Sequence, residues 1–501
     1  MSYSHYDRLT ALDASFLGLE DANVHMHVGS VGLFELGPLK GRHGGLDMER
    51  VWAMSDANLG HHPRFRQKLA AVPALGNPVW VDDERFNLNY HVRHTALPPP
   101  GDERQLKRLV GRIMSQQLDR GKPLWELWFV EGLEENRFAV VTKVHHCMID
   151  GVSGVDLMAA MMGPDPAAKV VASPRWVPRS APSPLRLLAD ELLRRASLPL
   201  DVARSGGRLL TQPRHAVADA RKAIAGMTDA LWAGLAPASA TPLNCDIGPH
   251  RRFDWVKVDL DVVKSINRRL GGTINDVVLA VVAGAMRRFL RSRGERVEDL
   301  TFRAMVPVNV RPAGEHGRLG NRVSFLMAPL PVAERSPERR LRLMSETMQA
   351  LKRSNQWRGA ELLEEVSDRL SSGLFMQLAR LGARTTPYNV VVTNVPGPQF
   401  PVYLLGAPLR EVYPLVPLFS NQALGIALFS YDGGLFWGFN ADWDAMPDLH
   451  DVVGAVATEC EALRQLAAHT PAALPSAARA RRPVRRRSTS APHGRRAAAR
   501  G

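Results

Sequence analysis

The chain has 501 residues, 45% of them hydrophobic and 23% charged, with a formal net charge of +14. That length exceeds the roughly 250–300 residues one hydrophobic core can serve, so two or more packed units are expected. The composition excludes a collagen-like, disulfide-framed or wholly disordered chain.

The charge says less than its size suggests. Residues 470–501 hold nine arginines, no lysine and no acid, which leaves +5 for the 469 residues before them. This segment is rich in Ala, Pro, Ser and Arg and lacks apolar periodicity, so it reads as a disordered tail. Such a tail is either solvated or in contact with anionic lipid. No nucleic-acid partner is expected, because no binding motif or aromatic-basic interleaving accompanies it. Three cysteines, Cys147, Cys245 and Cys460, are too few for a disulfide framework and suit a cytoplasmic setting. The amino terminus lacks the basic-then-apolar order of a signal peptide. No run approaches the ~18–20 apolar residues that span a bilayer.

In chain order, LKRLVGRIMSQQLD (106–119) puts Leu106, Leu109, Val110, Ile113, Met114 and Leu118 on one helical stripe. LWELWFVEGL (124–133) and RFAVVTKVHH (137–146) read as strands. From Gly163 to Ala240 prolines recur, and PLRLLADELLRR (184–195) reads as a basic amphipathic helix. Leu185, Leu188 and Leu192 share one of its faces; Arg186, Asp190 and Arg194 lie on another. The second half opens with the strand RRFDWVKVDL (251–260) and a helix starting at Asn275, in which VVLAVVAGAM (277–286) is expected to be buried. FRAMVPVNV (302–310), RVSFLMAPLP (322–331) and YNVVVTNVPG (388–397) follow as strands. The run ALGIALFSYDGGLFWGFNAD is a hairpin turning at Asp432-Gly433-Gly434, and LHDVVGAVATECEALRQL (449–466) a closing helix. The expected organisation is an α/β fold: a first half at 1–163, a partly helical crossover at 164–240, a second half at 241–469, and the tail at 470–501.

The stretch VHHCMIDG (144–151) carries the chemistry. Alternation along a strand sends His146 to the face of Phe138, Val140, Thr142 and Val144, and His145 to the face of Ala139, Val141 and Lys143. A metal site made by both histidines is disfavoured, because such pairs need one face. Cys147 as a nucleophile is also disfavoured, since its side chain starts opposite His146. A satisfied histidine before an Asp-Gly turn is the bland reading. The remaining one is a general base: His146 at a strand end, Asp150 orienting the loop, Gly151 allowing a tight backbone. A neutral imidazole there can take a proton from a hydroxyl.

His145 to Gly151 resembles the HHxxxDG signature of the acyl-CoA-dependent acyltransferases that include chloramphenicol acetyltransferase and condensation domains. More closely, the chain resembles the bacterial wax ester synthase/diacylglycerol acyltransferase family of actinobacterial type. The stretches that carry this resemblance are LTALDASFLGLE (9–20), HMHVGSVGLFE (25–35), HHPRFRQKL (61–69), FNLNYHVRHTALPPPG (86–101), DRGKPLWELWFVEGL (119–133), TPLNCDIGPHRRFDW (241–255), INDVVLA (274–280), VPVNVRP (306–312), LGNRVSF (319–325) and VVTNVPGP (391–398).

The resemblance implies two chloramphenicol-acetyltransferase-like sandwiches in one chain, with a tunnel between them and His146 near its middle. It makes His146 the proton acceptor for a hydroxyl that attacks the acyl-CoA thioester directly, without an acyl-enzyme, and Asp150 a structural residue paired with Arg66 (Arg64 being the rival). Asn275 and Asp276 match the family's Asn-Asp motif and read locally as an N-cap pair. Asn309, Arg311 and Asn321 fall in motifs expected at the cleft, and Asn440 is a candidate cleft-facing polar group. The implied substrates are long-chain acyl-CoA and diacylglycerol or a fatty alcohol. No bound cofactor or metal is required, and contact with an anionic membrane or lipid droplet suits insoluble acceptors. A carrier-protein or secondary-metabolite acyltransferase, and a non-catalytic lipid-binding homologue, are the competing readings.

Overall fold

A computed structural model describes residues 6–73, 77–148, 161–167, 170, 176–194, 237–309, 323–353 and 387–470. Asp150, Gly151, Arg311, Asn321 and the arginine-rich tail beyond Thr470 lie outside the described residues.

The first half runs β1 (Asp7–Arg8), α1 (Ala11–Leu19), β2 (His27–Glu35), α2 (Met48–Leu59), β3 (Gln67–Ala70), β4 (Val79–Asp82), α3 (Leu88–His91), β5 (Val92–Ala96), α4 (Glu103–Met114), β6 (Trp125–Leu133) and β7 (Arg137–His145). The second half runs β8 (Arg251–Asp259), α5 (Leu260–Leu270), α6 (Ile274–Ser292), β9 (Arg303–Asn309), β10 (Val323–Pro329) and α7 (Pro337–Arg353). It continues with β11 (Val390–Pro396), β12 (Tyr403–Leu404), β13 (Ala407–Leu415), β14 (Leu424–Tyr431), β15 (Gly434–Asp442) and α8 (Leu449–His469).

These strands form two six-stranded mixed sheets, ordered β12-β13-β2-β7-β6-β5 and β10-β9-β11-β14-β15-β8, and a small sheet β1-β4-β3. β7 is central in the first sheet and every residue from Phe138 to His145 is buried, as its near-continuous apolar run requires of a strand covered on both faces. α6 is apolar on all sides, and it is buried against α7, α8 and α5. Among the described residues no single helix is long and apolar enough to cross a membrane.

The two sheets are not built from separate stretches of chain. β13 pairs with β2 of the first sheet, from Leu409 opposite Phe34 to Leu415 opposite Gly29, and the chain then returns to the second sheet as β14. Tyr413 of β13 stacks on Trp255 of β8 with ring centroids 4.8 Å apart. α4 and β8 close a second contact, where the Arg251 N–H donates to Ser115 Oγ at 2.8 Å and Lys107 meets Asp254 at 2.5 Å. A boundary at residue 241 thus orders the elements along the chain, but 403–415 belongs to the first sheet in space.

The helix at 184–194 differs from its sequence reading in the face it buries. Leu187 packs with Tyr6, Val72, Val79 and Val81, and Glu191 is fully buried. Leu185 is 79% and Leu192 51% exposed. The reason is polar: the Tyr6 hydroxyl donates to Asp190 at 2.7 Å and Arg8 to Glu191 at 2.5 Å. Satisfied carboxylates can be buried, so the acidic edge turns inward and the leucine edge outward.

Candidate active site

β7 ends at His145, and a 3-10 turn of His146–Met148 follows it. The turn is pinned at its first two residues: the His146 N–H donates to Met26 O at 2.7 Å, and the Cys147 N–H to His145 Nδ1 at 3.1 Å. The half-buried ring of His146 stacks on Phe16 of α1, with centroids 3.9 Å apart. Burial, and then the neighbouring His145, push its pKa down to about 4, because a dry site disfavours the charged imidazolium. At neutral pH the ring is therefore uncharged and able to accept a proton. Its Nδ1 is buried without a hydrogen-bond partner among the described residues.

Around this ring the two halves meet. Phe16, Val24 and Met26 from the first half cluster with Ile247 and Leu418 from the second, and Phe419 packs against them. Cys147 is buried, and burial followed by Asp13 and Glu20 pushes its thiol well above the usual range. A thiol held protonated is a poor nucleophile.

The other expected residues are placed as follows. Arg66 is buried, donates to Asp56 Oδ1 at 2.8 Å and Asp56 O at 3.1 Å, and keeps Nε and Nη1 buried with no hydrogen-bond partner among the described residues. Arg64 bonds Asp7 and Gln67, both at 3.0 Å. Asn275 and Asp276 sit in the first turn of α6, but neither is its N-cap. Thr273 caps the helix, accepting from the Asp276 N–H at 3.2 Å, while Asp276 Oδ2 accepts the Thr273 N–H at 2.8 Å. This is a capping box, with Asp276 in its third helical position. The reading of an Asn275-Asp276 cap pair is corrected by two positions, because Thr273 has the extended backbone a cap needs and Asn275 is already helical. Asn309 ends β9, opposite Val323. Asn440 is buried in β15, and its Nδ2 donates to Val416 O at 2.8 Å. It thereby holds the 416–419 segment whose Leu418 and Phe419 pack in the cluster of Phe16, the ring on which His146 stacks.

Sequence reasoning passed over a buried polar cluster behind the motif. Glu20, immediately after α1, receives Arg120 at 2.7 and 3.1 Å, and faces His27 Nε2 at 3.4 Å and His145 Nε2 at 3.5 Å. Burial alone would raise this carboxyl, but His145, His27 and Arg120 outweigh it and hold it well below the usual carboxylate range. His27 is pushed down to about 3, chiefly by burial. The signal was present in LGLE, HMHVG and DRG, each a short stretch with one or two ionisable residues among apolar or glycine neighbours.

The profile of the wax ester synthase/diacylglycerol acyltransferase catalytic domain matches residues 9–278, and that of the family's C-terminal domain matches residues 319–464. A probable diacylglycerol O-acyltransferase, tgs1, of Mycobacterium tuberculosis is 33% identical over 458 residues, covering 88% of this chain and 92% of that protein. Another putative diacylglycerol O-acyltransferase of that organism is 34% identical over 503 residues, covering 93% and 98%. The solved wax ester synthase/diacylglycerol acyltransferase from Marinobacter aquaeolei VT8 superposes with a TM-score of 0.67 at 27% identity, over 92% of this chain and 100% of that one. The starter condensation domain of rhizomide synthetase shares the fold, with a TM-score of 0.56 at 12% identity, over 93% and 95%. The chain belongs to the wax ester synthase/diacylglycerol acyltransferase family.

Proposed function

We propose that the protein transfers a long-chain acyl group from acyl-CoA to the free hydroxyl of diacylglycerol, with His146 as the general base. The observation that carries this reading is the neutral, half-buried imidazole of His146, set where both halves of the fold converge. With Nδ1 walled off, Nε2 is the nitrogen that takes the hydroxyl proton. The acceptor oxygen then attacks the thioester carbonyl. The tetrahedral adduct collapses with cleavage of the C–S bond, and the imidazolium returns its proton to the departing CoA thiolate. No enzyme ester or thioester forms. Diacylglycerol is favoured over a fatty alcohol because the Mycobacterium relatives at 33–34% identity are named for that acceptor.

Asp150 is proposed as the partner of Arg66, whose Nε and Nη1 lack one among the described residues. Asn275, Asp276, Asn309, Arg311, Asn321 and Asn440 are proposed to support the cleft rather than to react. Peripheral contact with an anionic membrane or lipid droplet is supported by the exposed Leu185, Leu192 and Leu193 on a helix that also carries Arg186 and Arg194, and by the nine tail arginines. The test is radiolabelled palmitoyl-CoA offered with diacylglycerol and with hexadecanol separately, the products resolved by thin-layer chromatography. Labelled triacylglycerol from the native protein and none from His146→Ala is the expected result. Label in wax ester alone would move the acceptor assignment.

A further inference from the structure

The last turn of α1 reaches both histidines of the motif. Glu20 closes that helix, its N–H donating to Phe16 O at 3.3 Å. Phe16, one turn earlier, stacks on His146, and the Glu20 carboxylate faces His145 Nε2 at 3.5 Å. Arg120 fastens the helix end, donating to Leu17 O at 2.7 Å as well as to the carboxylate. His145 in turn accepts the Cys147 N–H at Nδ1. A neutral imidazole that accepts at one nitrogen carries its hydrogen on the other. That hydrogen is on Nε2, which lies 3.5 Å from the Glu20 carboxylate, an electrostatic contact rather than a hydrogen bond, and has no other partner among the described residues.

A carboxylate this deeply buried needs compensation, and Arg120 alone would supply it. Arg120 does not account for two imidazoles turned to the same group. Nor does it account for the chain of contacts that runs from the carboxylate through His145 and the Cys147 N–H to the turn bearing His146.

We propose that Glu20 is a positioning residue for acyl transfer: it fixes His145 as the Nε2–H tautomer, and His145, by capping the Cys147 N–H, holds the turn that aims His146 while Phe16 sets the plane of its ring. The inference rests on His146 being the base. Glu20 touches no substrate. It acts on His146 only through His145 and Phe16, one residue further removed than the buried aspartate that orients the histidine of a hydrolytic triad.

The test uses the full chain with palmitoyl-CoA and dispersed diacylglycerol. Glu20→Gln keeps the shape and removes the charge. It is expected to lower kcat by about 10–100-fold, the range seen when an outer partner that orients a metal-bound histidine is lost, with KM for both substrates within about twofold. The double variant Glu20→Gln/His145→Gln is expected to lose no more kcat than His145→Gln alone, since both changes break one chain of contacts. Nitrogen-15 spectra of histidine-labelled native protein require no variant to fold, and should show His145 as a single Nε2–H tautomer. An Nδ1–H or mixed tautomer, additive losses in the double variant, or full kcat in Glu20→Gln would each overturn the proposal. If His146→Ala is inactive while Glu20→Gln has native kcat, only this inference falls. Native activity in His146→Ala would remove the reading beneath it.

Discussion

Gly438 of β15 lies against Pro414 of β13 so closely that a Cβ built on it would come within 1.9 Å of the Pro414 carbonyl oxygen. That contact is backbone against backbone, between a strand of the second sheet and one contributed to the first. Neither side can yield by turning a side chain. Gly438→Ala is therefore expected to cost at least the ~1–3 kcal/mol typical of overpacking. Because the contact joins the two sheets, chemical denaturation should lower the midpoint of the whole transition. A variant with native stability would show that the sheets can part here without penalty.

His146→Ala should lower the rate of acyl transfer by roughly 10²–10⁴, the range for losing a general base, with native secondary structure by circular dichroism. Cys147→Ala should retain most of its activity, since the thiol is buried and held protonated. Isolation of an acyl thioester on Cys147 would replace direct attack with a two-step route.

Arg66 tests the proposed support of the catalytic loop. Asp150→Asn and Arg66→Met should each lower stability, by up to ~3–5 kcal/mol where a buried partner is left unpaired. In a double-mutant cycle the two losses should be markedly less than additive. Additive losses would mean that Arg66 does not pair with Asp150.

Acid should destabilise the fold in a defined window. His27, His91 and His146 are pushed to about 3, about 4 and about 4, chiefly by burial. As pH falls through the unfolded value near 6.5, the unfolded chain takes up protons that the folded protein refuses. Stability is thus full above that value and declines toward pH 4. Glu20, depressed in the fold, adds to the loss once pH passes below its unfolded value. Thermal midpoints should be flat from pH 8 to 7 and fall steadily from 6.5 to 4.5. His91→Phe, which keeps an aromatic ring between Phe86 and Trp125, should make that slope shallower. Midpoints independent of pH in this range would contradict the burial of these rings.

A chain ending at His469 should keep its turnover on detergent-dispersed diacylglycerol, since the tail lies beyond both matched family domains. It should sediment less with anionic vesicles at low salt, by up to about 1 kcal/mol per basic residue removed near the surface. The difference should vanish as salt shortens the Debye length. Loss of turnover on the dispersed substrate would place the tail within the catalytic structure.

Local signals were legible where sequence and contact coincide. β6 and β7 lie within a residue of their expected ends, and the hairpin turns where Asp432-Gly433 stood, with φ of 41° and 79° at the two positions, as a two-residue type I′ turn needs. The capping box Thr273–Asp276 was also written locally, but the Asn-Asp pair inside it drew the cap assignment inward. The role of β13 was not legible. APLREVYPL has no pattern that tells one sheet from another, and its partner β2 lies almost four hundred residues earlier. Glu20 was hidden for a different reason. A carboxylate just past a short helix reads as a solvated end until Arg120, His27 and His145 are brought to it from three other segments. The leucine edge of 184–194 misled because helical spacing shows which residues share a face, and not which face finds partners for its charges.

The strand lent by the second half also bears on how the protein is made. A ribosome releases β2 and β7 long before β13 emerges, so for most of synthesis β2 has a bare edge of nine residues, largely apolar. Exposed edges of this kind recruit other strands, including those of neighbouring nascent chains. A truncated product ending before Tyr403 would carry that open edge permanently. It is expected to be found in aggregates rather than as a soluble half-enzyme.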